Sequence, residues 1–231
     1  LQKTLHGALR HRPEFRLIGR PFSPTDLPDL IPKDREGTKW FSIDYSNATD
    51  GLSMRYSKAI MKRVLQGVPD DIREKAMRVL GAHSLYYPPP SKLPNGERRE
   101  RDFMDGDVMT NGQLMGSILS FPILCLANLG LFLAVVQEHP EMAKRYGENP
   151  EEFCLANGDD MLYCGMPDMW ETHVRLGRAI GLELSVGKAY LHESYLNINS
   201  TSVDYPLHQA GSTPFEIPFL QTGLLFGRHK V

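Results

Sequence analysis

The chain has 231 residues, 41% hydrophobic and 23% charged, with 26 Lys and Arg against 28 Asp and Glu for a net charge of −2. That length supports a sizeable core in one large domain, or in one domain with insertions. The composition is that of an ordinary globular protein, and the near-neutral balance gives no global sign of a nucleic-acid binder, leaving only local basic stretches to meet phosphate.

The chain opens at Leu1, without Met, in a stretch that reads as mid-helix, and no signal peptide is visible, so we expect a fragment of something longer. Residues 1–20 carry Lys3, Arg10, Arg12, Arg16 and Arg20 against Glu14 alone. Residues 39–44 alternate, with Phe41 and Ile43 on one face and Trp40, Ser42 and Asp44 on the other, which predicts a strand ending at Asp44. From 52 to 66, Tyr56, Ile60, Met61, Val64 and Leu65 recur at helical spacing, and Gly67 and Pro69 stop that helix. Asp71 with Glu74 resembles a capping box and predicts a second helix over 72–80. Residues 86–107 hold Pro88–Pro90, Pro94-Asn95-Gly96 and the basic run Lys92, Arg98, Arg99 and Arg101 against Glu97 and Glu100, an exposed loop or hairpin.

Residues 112–116 make a tight loop before a charge-free run from 118 to 136. That run is about long enough to cross a bilayer, but Ser120, Pro122, Asn128 and Gly130 interrupt it, and a buried core helix has the same composition. Residues 153–164, FCLANGDDMLYC, read as two apolar strands around an Asn157-Gly158 turn. Pro167-Asp168 opens a helix that Gly181 closes, and 182–200 predicts two more strands broken near Glu193. The tail from 201 to 231 shows no clear periodicity. Cys125, Cys154 and Cys164 all lie in apolar stretches, without zinc-ligand spacing or a disulfide framework, which fits a reducing intracellular compartment.

With the excursion at 70–110 left out, the order is strand, helix, hairpin, helix, strand. This is the split βαβ, or ferredoxin-like, pattern of an α+β protein. The first strand and the first hairpin strand then run parallel, and the second hairpin strand lies antiparallel between them. Asp44 arrives beside the turn that carries Asp159 and Asp160, so three carboxylates converge at one sheet edge. Such a group needs a cation, and hard oxygen ligands without His or Cys suit Mg²⁺ or Mn²⁺. Two such ions form the clamp used in phosphoryl transfer.

The residues also resemble a family. Ile43-Asp44-Tyr-Ser-Asn-Ala-Thr-Asp50-Gly is similar to motif A of viral RNA-dependent RNA polymerases, Gly112-Gln-Leu-Met-Gly116-Ser117-Ile-Leu-Ser-Phe-Pro122 to Asn128 to motif B, and Asn157-Gly158-Asp159-Asp160 to motif C. The wording resembles most the ourmia-like (botourmiavirus) and narnavirus polymerases, as does Phe15-Arg-Leu-Ile-Gly-Arg-Pro21. The resemblance implies a polymerase palm at 39–66 and 111–200, a fingers remnant at 1–38, a fingers insertion at 67–110 and the start of a thumb at 201–231. It implies nucleotidyl transfer from NTPs to the 3′-hydroxyl of a growing RNA strand on an RNA template, in positive-strand virus replication, in the host-cell cytoplasm or the mitochondrion. Asp44 and Asp159 would bridge two Mg²⁺ or Mn²⁺ ions, with Asp160 in support. Asp50 and Asn128 would sense the ribose 2′-hydroxyl, and Gly112, Gly116 and Ser117 would back the template–nucleotide pair. Lys188 would protonate pyrophosphate, residues 195–200 would form a primer-grip turn, and Arg16 and Arg20 would meet phosphate. A basic motif F is expected upstream of residue 1 and more thumb beyond 231, so this stretch alone is expected to be inactive. A reverse-transcriptase palm, a membrane-anchored interaction protein built on 118–136 and an inactive RNA-binding relic are the alternatives.

Overall fold

The computed structural model describes residues 1–85 and 108–218, so the loop expected at 86–107 with its basic run, and the end of the tail, lie outside the described residues. Helix α1 (Gln2–Leu9) and three single 3-10 turns at Pro13–Phe15, Pro24–Asp26 and Pro28–Leu30 lead into strand β1 (Lys39–Ile43). Strand β2 (Tyr45–Ser46) and helices α2 (Ala48–Gly51), α3 (Met54–Val64) and α4 (Asp70–Val79) follow, then the short strands β3 (His83–Ser84) and β4 (Val108–Met109). The long helix α5 (Ser120–Glu138) and α6 (Pro140–Tyr146) precede the hairpin β5 (Cys154–Asn157) and β6 (Asp160–Gly165). Helix α7 (Met169–Ile180) and strands β7 (Glu183–Leu184), β8 (Tyr190–His192), β9 (Tyr195–Ile198), β10 (Thr201–Asp204) and β11 (Phe215–Glu216) complete the order.

The central sheet has the order β5-β6-β1-β8, and every neighbouring pair is antiparallel. Strands β1 and β5 both oppose β6, so they run parallel to each other. The period-2 pattern of β1 explains its place. Phe41 and Ile43 join Tyr163 and Met161 in a core closed by α3, α5 and α7, whereas Trp40 joins Leu155, Leu162 and Cys164 in a second core closed by β9, β10 and the 3-10 turns. Both faces are therefore covered, as four of the five β1 residues being buried requires. The polar groups on the second face are matched: Trp40 Nε1 donates to the Tyr205 carbonyl at 2.9 Å, and the Asn197 N–H donates to Ser42 Oγ at 3.0 Å.

Helix α5 is the one helix among the described residues long and apolar enough to cross a membrane. Eleven of its nineteen residues are buried in this fold, with Ile123, Leu131, Phe132 and Val135 in the helical core. Its apolarity on all sides is that of a helix surrounded by other elements.

Several elements differ from expectation. The helix expected over 52–66 is preceded by the separate turn α2, because Asn47 in the left-handed region (φ 49°) bends the chain straight after β2. Helix α4 begins at Asp70 rather than 72, with Pro69 at its N-cap and no side-chain cap, so the expected capping box is absent. Asp71 and Glu74 instead pair with Lys75 and Arg78 one turn on. Ser117 does not cap α5, whose N-cap is Leu119. Helix α6 was not expected. Helix α7 does end at Gly181 (φ 87°), where Leu182 N–H bonds Gly177 O and Gly181 N–H bonds Arg178 O, a Schellman closure. The break near Glu193 separates β8 from β9, and the unpatterned tail supplies β10 and β11. Asn199 and Ser200, both at positive φ (49° and 60°), form the two-residue turn between β9 and β10.

Candidate active site

Register builds the site. Ile43 pairs with Met161 and Asn157 with Asp160, so one further step along β1 brings Asp44 level with Asp160. The two line one open cavity of about 680 Å³ together with Lys188, Tyr190, Tyr195 and Asn197. Asp159 lines a neighbouring cavity of about 340 Å³ with Asn47, Thr49, Met115, Ser120 and Gly158. Adjacent residues at the tip of a tight turn thus serve two cavities. Gly158 takes φ 70°, and a Cβ there would lie 3.3 Å from the Phe121 ring, so the turn is drawn against α5 as closely as glycine permits.

Helix α5 grips that turn from behind. Cys125 Sγ accepts the Gly158 N–H at 3.1 Å. Asn128 Nδ2 reaches the carbonyls of Gly158, Asp159 and Asp160 at 3.2, 3.3 and 3.4 Å, and its Oδ1 accepts from the Tyr45 hydroxyl at 3.0 Å. From the other side Asn157 Nδ2 donates to Asn199 Oδ1 at 3.0 Å. Asn128 is wholly buried, and its polar atoms are spent on the protein. In this arrangement it acts as a clamp on the turn.

The acids do not repel freely. Lys188 Nζ lies 3.5 Å from Asp44 Oδ2, and the Asp44 carbonyl accepts the Ser185 N–H at 2.9 Å. Lys188 stands in the turn between β7 and β8, not in a strand as expected, and is largely exposed. Burial, then the charges of Asp159 and Asp44, push the Asp160 carboxyl up to about 6, with the Asn199 backbone and Lys188 pulling the other way. Burial, with the charge of Asp159 adding to it, pushes the Cys125 thiol up to about 12 against the pull of the Gly158 hydrogen bond, so it stays a thiol and does not react as a thiolate.

As arranged, no three carboxylate, His or Cys side chains among the described residues stand close enough to hold an ion together. The donor set nonetheless fits a hard cation. It is all oxygen, on rigid supports, and burial has concentrated negative charge until one carboxyl resists ionisation.

The loop ahead of α5 docks on α2. The Gln113 N–H donates to Thr49 O at 2.7 Å, and Asn111 Oδ1 accepts from Met54 N–H at 3.1 Å. A Cβ on Gly112 (φ 73°) would lie 2.4 Å from the Asp50 carbonyl, so this glycine permits the close contact with α2. Gly116 has open space around it. Met115 is 84% exposed and Ile118 53%, while the hydroxyls of Ser117 and Ser120 are buried without partners among the described residues. Asp50 is exposed on α2 and makes no bond to Asn128.

Arg16 and Arg20 are committed elsewhere. Arg20 meets Asp26 at 2.6 Å and Arg16 meets Asp29 at 3.0 Å. The Arg20 guanidinium, the Ser23 N–H and the nearby charge of Arg16 outweigh burial and hold the Asp26 carboxyl below its usual range. The phosphate role expected of the two arginines gives way to an internal ion cluster. Sequence reasoning missed Tyr45, Cys125, His173 and Asn199. Tyr45 had a signal in its place next to Asp44 on the buried side of the chain, and His173 one in the four-residue spacing of Met169, His173 and Gly177 on α7.

No family model matches the chain. It is 28% identical to the RNA-dependent RNA polymerase of Ourmia melon virus (isolate Melon/Iran/VE9), over 98% of this chain and 26% of that protein, so the chain spans about a quarter of that relative's length. Its fold matches the crystal structure of an insertion-loop deletion mutant of the RNA-dependent RNA polymerase of a human picobirnavirus, with TM-score 0.60 and 13% identity, over 92% of this chain and 39% of that one. At that identity the likeness is one of fold. Motif order, sequence and fold agree: the chain is similar, along almost its whole length, to part of a viral RNA-dependent RNA polymerase.

Proposed function

We propose that the protein forms the palm-centred portion of an RNA-directed RNA polymerase that joins NTPs to the 3′-hydroxyl of a growing RNA strand on an RNA template, in replication of a positive-strand RNA virus. The observation that carries this reading is the meeting of Asp44 and Asp160, with Asp159 beside them, at one edge of an antiparallel sheet, in a chain similar to such a polymerase over 98% of its length. The strand order and directions support a ferredoxin-like, split βαβ palm at 39–66 and 111–200. Residues 1–38 and 67–110 then belong to the fingers and 201–231 begin the thumb. Action in the host-cell cytoplasm or the mitochondrion goes with this reading. That both named relatives are RNA-dependent RNA polymerases favours RNA synthesis over the reverse-transcriptase alternative.

Asp44, Asp159 and Asp160 would hold two Mg²⁺ or Mn²⁺ ions, which supply positive charge to the reacting hydroxyl and phosphate oxygens. The chain's own residues do the rest. Strand β1 and the turn present the carboxylates from rigid backbone, so little reorganisation is needed as charge develops. Lys188, 3.5 Å from Asp44, keeps a proton beside the site that can pass to departing pyrophosphate. Gly116 and Ser117 give the loop that closes over a nucleotide in the cavity that Asp159 lines, and Asp50 stands at the mouth of α2 for its sugar.

Incorporation of labelled NTPs on an RNA template by the full-length protein, with and without Mg²⁺ or Mn²⁺, tests the reading. Metal-dependent, template-dependent product that Asp159→Ala abolishes is expected. Near-normal extension by that variant would sink it.

A further inference from the structure

Behind the acidic turn runs a buried chain of four polar side chains from four elements: Tyr163 on β6, His173 on α7, Tyr45 on β2 and Asn128 on α5. The Tyr163 hydroxyl is 3.0 Å from His173 Nδ1, His173 Nε2 is 2.7 Å from the Tyr45 hydroxyl, and that hydroxyl is 3.0 Å from Asn128 Oδ1. Tyr163, His173 and Asn128 are fully buried, and Tyr45 is nearly so.

Proton positions follow by elimination. Three turn carbonyls face the Asn128 amide, and carbonyls only accept, so Nδ2 points to the turn and Oδ1 to Tyr45. Tyr45 has one proton, and Oδ1 has none, so Tyr45 donates to Asn128. His173 Nε2 then carries the proton that the Tyr45 oxygen accepts. Burial holds the imidazole neutral, with its pKa at about 3, so Nδ1 is a bare lone pair that accepts from Tyr163. Every proton in the chain points toward the turn. The other tautomer would leave the 2.7 Å contact between His173 and Tyr45 without a proton.

We propose that His173 is a positioning residue which, through Tyr45 and Asn128, sets the spacing between the two acidic arms, Asp44 on one and Asp159 with Asp160 on the other. Tyr45 follows Asp44 directly, and Asn128 holds the carbonyls of the turn, so the Tyr45–Asn128 bond ties one arm to the other. His173 keeps the Tyr45 hydroxyl turned toward that bond. It makes no hydrogen bond to any of the acids, and its burial denies it contact with substrate. Histidine suits this position for its two-sided chemistry, an acceptor on one edge and a donor on the other, within one rigid ring. The consequence for metal affinity rests on the reading of these acids given above; the hydrogen-bonded spacing does not.

The test compares His173→Leu, which keeps bulk but no donor, with His173→Gln, which keeps an N–H near the Nε2 position, in the full-length protein. Leu196→Ala, in the opposite core, controls for general loosening. Hydrogen exchange of the 156–161 segment should quicken by about tenfold or more in His173→Leu, and Mn²⁺ affinity, read by electron paramagnetic resonance, should fall by about tenfold or more. His173→Gln should stay within about threefold of the parent in both, and Leu196→Ala should leave both near the parent. Parent-like exchange in His173→Leu, or equal loss in the control, overturns the proposal. Failure of the parent to bind Mn²⁺ would instead overturn the metal reading, and the exchange data would still decide the spacing. Should the Leu variant not fold, the ¹⁵N spectrum of histidine-labelled parent decides: a protonated Nε2 and bare Nδ1 on His173 at neutral pH are required, and the opposite tautomer or an imidazolium overturns it.

Discussion

The turn at Asn157–Asp160 and the loop at 111–118 flank the same cavity and are built in opposite ways. The turn is finished without a ligand. Its N–H and carbonyl groups are taken by Cys125 and Asn128, and Asn157 is tied to Asn199. The loop is unfinished: it anchors through Gln113 and Asn111, then exposes Met115 and Ile118 and leaves two hydroxyls without partners among the described residues. The difference teaches where rigidity is needed. Carboxylates that share a cation must be held in place before it arrives. On the proposed reading the loop meets a changing series of base pairs, and such a surface gains from being able to yield.

The largest effect should come from the rigid side. Asp159→Ala should lower nucleotide incorporation by on the order of 10³-fold with little change in the melting temperature; primer-extension rates alongside thermal melts check it. Asn128→Ala should come next. It strips the clamp from three carbonyls and the Tyr45 hydroxyl, and we expect a loss of about 2–4 kcal/mol in denaturant unfolding. Incorporation of rNTPs and dNTPs should fall together. A selective gain in dNTP use at unchanged stability would instead support the ribose-sensing role and break the contrast drawn above.

Asp160→Asn should stabilise the metal-free protein. The folded carboxyl, pushed up to about 6, lies above its unfolded value, so ionised Asp160 costs stability at pH above 6 and the cost fades as pH falls toward 4. The gain should be on the order of 1–3 kcal/mol at pH 8 and vanish near pH 4, as melts in chelator at both pH values would reveal. A gain that persists unchanged at pH 4 would assign it to packing. Smallest of all, Ser117→Ala removes a buried hydroxyl that has no partner among the described residues and should move stability by less than about 1 kcal/mol, while raising the KM for NTP. A large stability loss would mean that the loop is as finished as the turn.

Much of this was legible in the chain. The alternation in residues 39–44 located β1, its two faces and Asp44, and the Asn157-Gly158 pair located the turn, because side-chain period and turn chemistry are local properties. Gly181 closed α7 where its φ above zero was needed. What stayed hidden depended on distant partners. The resemblance implied a ribose contact for Asn128, and nothing local reveals that three carbonyls some thirty residues away will also face it. Arg16 and Arg20 read as phosphate contacts because Asp26 and Asp29 are brought round to them only by two 3-10 turns. His173 lies four residues after Met169 and four before Gly177, all three buried, so the buried face of α7 was readable, but the partners of the imidazole were not. The false capping box at Asp71 and Glu74 shows the reverse error, a local pattern overruled by Pro69 one residue before the helix.

The pairing of Ile43 with Met161 also bears on how such a chain can vary in length. A strand shifted by a single residue sends every side chain to the opposite face, so one inserted or deleted residue within β1 or β6 would exchange Trp40 for Phe41 between the cores and carry Asp44 away from Asp160. Growth and shrinkage are therefore confined to the connections, such as that between α6 and β5, where the backbone bears neither acid and pairs with neither strand.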